Sequence, residues 1–289
     1  METLRTRAPA KINLTLRIVR RRTDGFHDLA SLVVFSGAAD LLSLTPDAAL
    51  SLAVKGHTAA AAGPDADNLV LRAARAFAAE VPGARLGAFL LEKRLPVAAG
   101  LGGGSSDAAA ALRLLGRLNG LAPDDPRLFA AARATGSDVP VCLDPRPRLM
   151  EGVGDVLSSP LTLPPLAGVL VNCGVAVPTA AVFRQLGLSP GATFDGPSLP
   201  AVLPSGRAEL MAAIAAVPND LEPPAVAVAP KIAEVIHRLT IQPEARLVRM
   251  SGSGATVFAL TDDCRAAAAL ARRVFATEPD WWVKPTILR

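Results

Sequence analysis

The sequence predicts an α+β protein of two domains. Segments with the two-residue period of strands are mixed along the chain with segments at the 3.6-residue period of helices. A Ser- and Pro-rich stretch at 158–165 has the composition of a domain boundary, which predicts an N-terminal domain over 1–157 and a C-terminal domain over 158–289. A length of 289 residues suits one large or two medium domains and is ample for a buried core.

The elements follow in order. Residues 8–19 alternate, with Ile12, Leu14, Leu16 and Ile18 on one face and Lys11, Asn13, Thr15 and Arg17 on the other. Asp24-Gly25 is a turn signal, and Leu29 to Phe35 reads as the returning strand. Leu41 to Leu44 and Leu50 to Val54 are further short strands. Asp67-Asn68 precedes a helix through Leu71, Ala74 and Phe77 that stops near Pro82-Gly83. Leu86 to Glu92 is a strand feeding a glycine-rich loop. After the loop, Ala108, Ala111, Leu112, Leu115 and Leu118 mark a helix, with Ser105, Ser106 and Asp107 as capping residues and Gly120 as its stop. A helix after Pro126 ends at Gly136. Beyond the boundary come a strand at 168–172 and a helix at 180–186. A Pro-, Gly- and Ser-rich segment at 187–204 is expected as a mobile surface loop. Helices at 206–216 and 225–239, strands at 246–250 and 256–260, and a helix at 263–275 complete the pattern.

Composition narrows the function classes. The longest charge-free run, between Asp155 and Arg184, is broken by Pro160, Pro164, Pro165 and Pro178, so it reads as a linker and a buried strand, not a membrane span. The N-terminal Met-Glu-Thr-Leu-Arg-Thr-Arg has no apolar signal region. Cys142, Cys173 and Cys264 are scattered, without a CxxC pair, and read as buried thiols of a cytoplasmic protein. The formal charge is +4, and its densest cluster is Arg17, Arg20, Arg21 and Arg22. With no tyrosine in the chain and no aromatic residue interleaving that cluster, a nucleic-acid partner is disfavoured. A solvated strand end is the first reading, and steering of anionic substrates the second.

The stretch from Leu95 to Asp107 carries the most chemistry. Four glycines fall within Gly100–Gly104, followed by Ser105, Ser106 and the start of a helix. A loop free of side chains lets backbone N–H groups close on an anion, and a helix N-terminus adds about half a positive charge. The loop lacks the lysine of a Walker A sequence, and Ser105 stands where the third glycine of a dinucleotide-binding or protein-kinase loop belongs. The plain alternative is a glycine-rich turn capped by serine.

Pro96-Val-Ala-Ala-Gly-Leu-Gly-Gly-Gly-Ser-Ser106 resembles the second motif of the GHMP kinases, the family of galactokinase, homoserine kinase, mevalonate kinase and phosphomevalonate kinase. Pro9-Ala-Lys-Ile-Asn-Leu-Thr-Leu16 resembles the first motif, and Met250-Ser-Gly-Ser-Gly-Ala-Thr-Val-Phe258 the third. Their order and separation match across nearly the whole chain. The resemblance implies an N-terminal domain like part of ribosomal protein S5, a ferredoxin-like C-terminal domain, and an active site in the cleft between them. It implies ATP as phosphoryl donor, cradled by Pro96, Val97, Ala98, Ala99, Gly100, Leu101, Gly102, Gly103, Gly104, Ser105 and Ser106. Ser105 or Ser106 would reach a Mg²⁺ held mainly by phosphate oxygens and water. No set of protein residues is assigned as a metal site.

Phosphoryl transfer also needs a group that orients or deprotonates the acceptor hydroxyl. Lys11 and Asn13 alone read as the outer face of a half-exposed strand; the resemblance places Lys11 by the reacting hydroxyl, where it would stabilise developing charge. Thr135-Gly-Ser-Asp-Val-Pro140 alone reads as a cap or turn; it resembles a Gly-x-Asp-Val-Pro stretch of one GHMP branch, which makes Asp138 the catalytic base, aimed by Lys11. Ser251–Gly254 alone is a tight hairpin; the resemblance puts it near the phosphates.

Smaller features resemble one branch of the family: Asp24-Gly-Phe-His-Asp-Leu29, Glu151-Gly-Val-Gly-Asp155 and Pro218-Asn-Asp-Leu221. That branch phosphorylates the 2-hydroxyl of a cytidine diphosphate-linked methylerythritol in non-mevalonate isoprenoid synthesis. Its cytosine lies between two aromatic rings and is hydrogen-bonded by a histidine, which maps onto Phe26, Phe183 and His27. Lys93 matches a substrate-side lysine. The branch often has tyrosine where Phe26 stands; stacking survives that change and a hydroxyl contact does not. Without the resemblance, His27 reads as a surface turn residue and Phe183 as helix core. The alternatives are a homoserine- or mevalonate-type kinase, which would not need Phe26-His27, and an S5-like RNA-binding protein, which would need stacking aromatics on the Arg17–Arg22 face. A small-molecule substrate, no nucleic acid and no membrane are expected.

Overall fold

A computed structural model describes residues 2–62 and 68–289, so Asp67 of the expected Asp67-Asn68 helix start lies outside the described residues. The chain forms two compact units, each built from separated segments. The first comprises Met1–Lys11, Ala38–Val97 and Gly102–Pro145; the second comprises Ile12–Gly37, Ala98–Leu101 and Arg146–Arg289. The units are thus interleaved in sequence instead of parted by one cut at 157/158. The long strands β1 (Leu4–Asn13) and β3 (His27–Pro46) each contribute to both.

In the first unit the C-terminal half of β3 pairs antiparallel with β5 (Gly87–Glu92), and β4 (Ser51–Lys55) lies parallel to β5. Helices α1 (Leu69–Glu80), α2 (Gly103–Leu118), α3 (Pro126–Thr135) and α4 (Val139–Leu143) pack on one another. Their contacts rest on Ala73, Ala74, Ala108, Ala111, Ala131 and Ala132, all fully buried. Small side chains let helix axes approach closely. Asn68 caps α1 by accepting from the Val70 amide, and Asp125 caps α3 ahead of Pro126.

In the second unit, β8 (Leu166–Asn172) lies between β11 (Trp282–Leu288) and β10 (Val257–Leu260), and β10 pairs in turn with β9 (Leu247–Met250), all antiparallel. All seven residues of β8 are buried, as expected of a strand covered on both faces. Helices α8 (Lys231–Thr240) and α9 (Cys264–Thr277) pack on this sheet, and α5 (Thr179–Leu186) packs on α7 (Glu222–Val228). The N-terminal half of β3 pairs with β2 (Arg17–Arg21) and with β6 (Arg148–Gly152), which pairs with the short β7 (Val156–Leu157). Helix α6 (Arg207–Ala216) completes the unit.

Several expectations change. The segment 8–19 is two strands with a break at 14–16, and its Lys11–Ile18 stretch is buried on both faces. The two strands expected at 29–35 and 41–44 are one strand of 20 residues. The intervening Gly37 is no turn: its amide donates to Thr286 Oγ1 at 2.8 Å, and a Cβ there would lie 3.1 Å from the same oxygen. The helix expected at 225–239 is two, α7 and α8, parted at Pro230. Segment 187–204 is not a free loop, because its middle runs along β2: Gly191 donates to Arg21 O at 2.8 Å and Phe194 to Val19 O at 2.9 Å. The arginine cluster is largely neutralised. Arg17 is buried against Asp220, and Arg20 and Arg22 both bind Asp28, whose carboxyl they hold below its usual range. Cys142 and Cys173 are buried as expected, but Cys264 is exposed. No helix among the described residues is long and apolar enough to cross a membrane.

Candidate active site

The glycine loop leaves β5 and turns into α2 at Gly102, which is left-handed at φ 58°. Among the described residues no side chain caps this helix start. Ser105, Ser106 and Asp107, expected as caps, lie inside the first turns of the helix instead. The first-turn N–H groups have no intrahelical partners and keep the positive end of the dipole unmasked. Ala98 (φ 51°) and Gly100 (φ 72°) are also left-handed, so the chain reverses sharply through the loop. A left-handed alanine costs roughly 1–2 kcal/mol, strain held by the surrounding bonds. Ser251 supplies one of them, donating from Oγ to Gly100 O at 3.0 Å, and the Thr256 amide donates to Ala99 O at 3.1 Å. Gly100 is obligatory, since a Cβ would sit 2.3 Å from Ser251 O. The Ser251–Gly254 turn is therefore more than a hairpin end. It carries the middle of the glycine loop, and Asn219 carries it in turn through bonds to Met250 O and Gly252 O, both 2.8 Å.

Within the first unit, Lys11 on β1 meets Asp138 at the start of α4, Nζ to Oδ2 2.8 Å. The lysine side chain is 5 % exposed and the aspartate 34 %. Asp138 holds the N-cap position of α4 without making a capping bond, which leaves its carboxylate to Lys11. Lys11 is not on a half-exposed face, and its stem crosses the glycine loop: a Cβ on Gly102 would lie 3.2 Å from Lys11 Cβ and Cε. Ser106, expected at the phosphates or Mg²⁺, has its hydroxyl engaged within the protein. It is buried and donates its hydroxyl to Pro9 O at 2.6 Å. The neighbouring Cys142 thiol is pushed up to about 11 by burial and is inert. Arg113 on α2 binds both Cys142 O and Arg7 O at 2.7 Å, tying the loop's helix to the elements that carry Asp138 and Lys11.

Lys93, expected at the acceptor, is 3 % exposed and bound by two carboxylates, Asp40 at 2.5 Å and Asp107 at 2.9 Å. Burial alone would lower the lysine, but Asp107 and Asp40 outweigh it and hold the ammonium charged. Burial pushes the Asp107 carboxyl up to about 7; Lys93 pulls it down and Asp40 pushes it further up.

The remaining expected residues lie in the second unit. His27 stacks on Phe183, ring centroids 4.7 Å apart and planes tilted by 31°. Burial, helped by the Arg21 charge, lowers the His27 imidazole below its usual value, which keeps it neutral at pH 7. Its Nε2 is buried and unpartnered among the described residues. Phe26 is 64 % exposed, and among the described residues its ring joins no aromatic pair. Asn13 is buried; its amide donates to Ser251 Oγ and its Nδ2 to Ser31 Oγ, while Oδ1 has no partner among the described residues. Sequence reasoning missed Asp40, Arg113 and Asn219. Two signals were available: Asp40 interrupts the apolar run around it, and Asn219 lies in the Pro218–Leu221 stretch.

Comparison with known proteins adds the family. Residues 68–144 match the GHMP kinases N-terminal domain and residues 201–280 the GHMP kinases C-terminal domain. A 4-diphosphocytidyl-2-C-methyl-D-erythritol kinase of Xanthobacter autotrophicus is 74 % identical over 293 residues, covering 100 % of both chains. The chain belongs to the GHMP kinases. A kinase of the same name from Azorhizobium caulinodans is 67 % identical over 289 residues, again with 100 % of both chains covered. A crystal structure of a 4-(cytidine 5'-diphospho)-2C-methyl-D-erythritol kinase superposes with TM-score 0.78 at 36 % identity, covering 98 % of this chain and 99 % of that one. A homoserine kinase of Cytophaga hutchinsonii shares the fold, with TM-score 0.68 at 17 % identity and 99 % and 94 % of the chains covered. The architecture is thus the two-domain α+β fold of GHMP kinases, which are ATP-dependent enzymes. The glycine loop falls inside the N-terminal family match and the Ser251–Gly254 turn inside the C-terminal one.

Proposed function

We propose that this GHMP kinase transfers the γ-phosphoryl group of ATP to the 2-hydroxyl of 4-diphosphocytidyl-2-C-methyl-D-erythritol, a step toward isoprenoid precursors by the non-mevalonate route. The observation that carries the chemistry is the Lys11–Asp138 ion pair, with the lysine stem lying against Gly102 of the glycine loop. The acceptor is supported by full-length relatives of that name and by an unpartnered imidazole nitrogen beside a phenylalanine ring.

In this reading the uncapped start of α2 and the loop amides hold the nucleotide phosphates. Ser105, not Ser106, is the hydroxyl left to reach a Mg²⁺, whose charge would offset that of the phosphates. Asp138 takes the proton of the 2-hydroxyl as that oxygen forms its bond to the γ-phosphorus and the bond to the β-phosphate oxygen breaks. Lys11 orients the carboxylate and stabilises negative charge on the acceptor oxygen and the moving phosphoryl group. Asn13 offers an acceptor hydroxyl its Oδ1, which has no partner among the described residues. His27, neutral, hydrogen-bonds the cytosine, and Phe183 and the exposed Phe26 supply apolar faces for the ring.

The test is a panel of acceptors with ATP, in which 4-diphosphocytidyl-2-C-methyl-D-erythritol, homoserine and mevalonate are compared under identical conditions. The cytidyl acceptor should turn over, with phosphorus NMR placing the new phosphate on O2. Faster turnover of homoserine or mevalonate rejects the acceptor.

A further inference from the structure

Lys93 is one member of a buried charge chain that spans the base of the glycine loop. Asp40 on β3 is completely buried and accepts three donors: the Arg94 amide at 2.6 Å and the Leu95 amide at 2.8 Å on Oδ1, and Lys93 Nζ at 2.5 Å on Oδ2. The two amides belong to the residues that lead into Pro96, so Asp40 fixes where the chain leaves β5 for the loop. Lys93 then reaches Asp107, which is on α2 just past the loop. One chain of charges therefore clamps the start and the finish of the loop. It lies directly beneath the loop's last turn: a Cβ on Gly103 would be 3.6 Å from Lys93 Nζ and 4.0 Å from Asp40 Oδ2.

We propose that Asp40, Lys93 and Asp107 are positioning residues that hold the glycine loop in its nucleotide-binding shape, and that Lys93 acts on the donor side through Asp107 and does not contact the acceptor. The inference rests on the reading that ATP phosphates bind this loop.

Three groups this buried would otherwise be a poor choice for packing. Removing a charge from water costs several kcal/mol, and apolar residues of similar volume are often as stable or more so. What the charge chain adds is geometry. Asp40 is a double acceptor at one point of the backbone, and the ammonium bridges two carboxylates on different elements, so a register or tilt change at either end of the loop breaks a charged bond. The loop needs such a restraint because Ala98 is held in the left-handed region. The two carboxylates share one ammonium. Burial pushes the Asp107 carboxyl toward neutrality, which limits the negative charge lying beneath the loop.

Asp107→Ala is the decisive variant, because it cuts the link to α2 and leaves Lys93–Asp40 as a balanced pair. Asp107→Asn keeps an oxygen for Lys93 and should rescue it. The probe is AMP-PNP with Mg²⁺, titrated by calorimetry without acceptor, beside steady-state KM values for both substrates. The expected result is at least tenfold weaker AMP-PNP binding in Asp107→Ala, within threefold of wild type in Asp107→Asn, and an acceptor KM changed less than twofold in both. Hydrogen exchange at residues 100–106 should rise in Asp107→Ala while α3 keeps its protection. AMP-PNP binding within twofold of wild type in Asp107→Ala overturns the proposal, as does an acceptor KM that rises in step. In Lys93→Met, a raised acceptor KM with unchanged AMP-PNP binding would hand Lys93 back to the acceptor. Wild-type protein that does not bind AMP-PNP rejects the underlying ATP reading, a result distinct from any variant's.

Discussion

Replacing Gly100 by alanine should uncouple the glycine loop from the turn that supports it. The new Cβ would lie 2.3 Å from Ser251 O and 2.9 Å from both Gly254 N and Gly254 O, all backbone atoms that cannot rotate away. Restoring ordinary contact requires the two loops to part by about 1 Å. That movement breaks the Ser251 Oγ bond to Gly100 O and the Thr256 amide bond to Ala99 O, each worth about 1 kcal/mol net. The left-handed φ of 72° adds roughly 1–2 kcal/mol for any residue with a Cβ. The total is about 3–4 kcal/mol of stability. Gly120 is the matched control: its φ is 70° and a Cβ there meets nothing within 4 Å, so Gly120→Ala bears the strain without the overlap. Urea unfolding should show about 1 kcal/mol lost in Gly120→Ala and about threefold more in Gly100→Ala. A displacement of about 1 Å in a positioning loop costs on the order of 10²-fold in rate, so kcat/KM for ATP should fall by about that factor in Gly100→Ala alone. Equal losses in the two variants, or an ATP kcat/KM within twofold of wild type in Gly100→Ala, would refute the reasoning.

Gly103 makes the opposite case, because a Cβ there meets nothing closer than 3.6 Å and φ is ordinary. Gly103→Ala should keep the wild-type Tm in a thermal melt, since its Cβ meets Lys93 Nζ at no closer than ordinary contact distance; a clearly lowered Tm contradicts that packing. His27→Ala should weaken the cytidyl acceptor about tenfold, the worth of one hydrogen bond, with ATP unaffected. In wild type the acceptor KM should be flat above pH 7 and rise only on the acid side of the ordinary imidazole range, as the imidazole, held below its usual value by burial and by Arg21, finally protonates; a His27→Ala variant with the same acid limb would remove His27 from the acceptor. Asp107 titrates near 7 folded and near 4 unfolded, so the folded state binds the extra proton between those values and stability falls as pH climbs through the window. Asp107→Asn lacks that titration, so its stability relative to wild type should improve from pH 5 to pH 8, by up to about 3 kcal/mol; a pH-independent difference contradicts the buried carboxyl.

Local signals in the sequence were read well where one segment decides its own structure. The helix at 69–80 and the strand at 166–172 follow from period, caps and apolar runs, whereas the helix after the glycine loop begins at Gly103, ahead of the residues expected to cap it. What was hidden depends on partners distant in sequence. Gly37 looks like a turn until Thr286, far along the chain, is seen against it. β11 was missed because Pro285 demotes the run as a strand, yet β11 meets β3 only at Leu288, so no second ladder requires the missing N–H. At the site, the resemblance supplied Lys11 and Asp138, and the structure adds a direct ion pair. Ser106 and Lys93 were placed at ligands by motif position; the structure adds that Ser106 donates its hydroxyl to Pro9 O and that Lys93 spends two of its three N–H donors on Asp40 and Asp107. A hydroxyl or ammonium in a motif says only that a donor is there, not which acceptor uses it.

The central claim is that the Asp138 carboxylate, aimed by Lys11, drives phosphoryl transfer from a nucleotide held at the glycine loop. Single-turnover phosphorylation of the cytidyl acceptor by Asp138→Asn tests it most directly, with both substrates bound to saturation. The account predicts a rate lower by about 10²–10⁴-fold, the usual share of a positioned base, with AMP-PNP and acceptor Kd values within threefold of wild type. Turnover within a few fold of wild type at full saturation would contradict it.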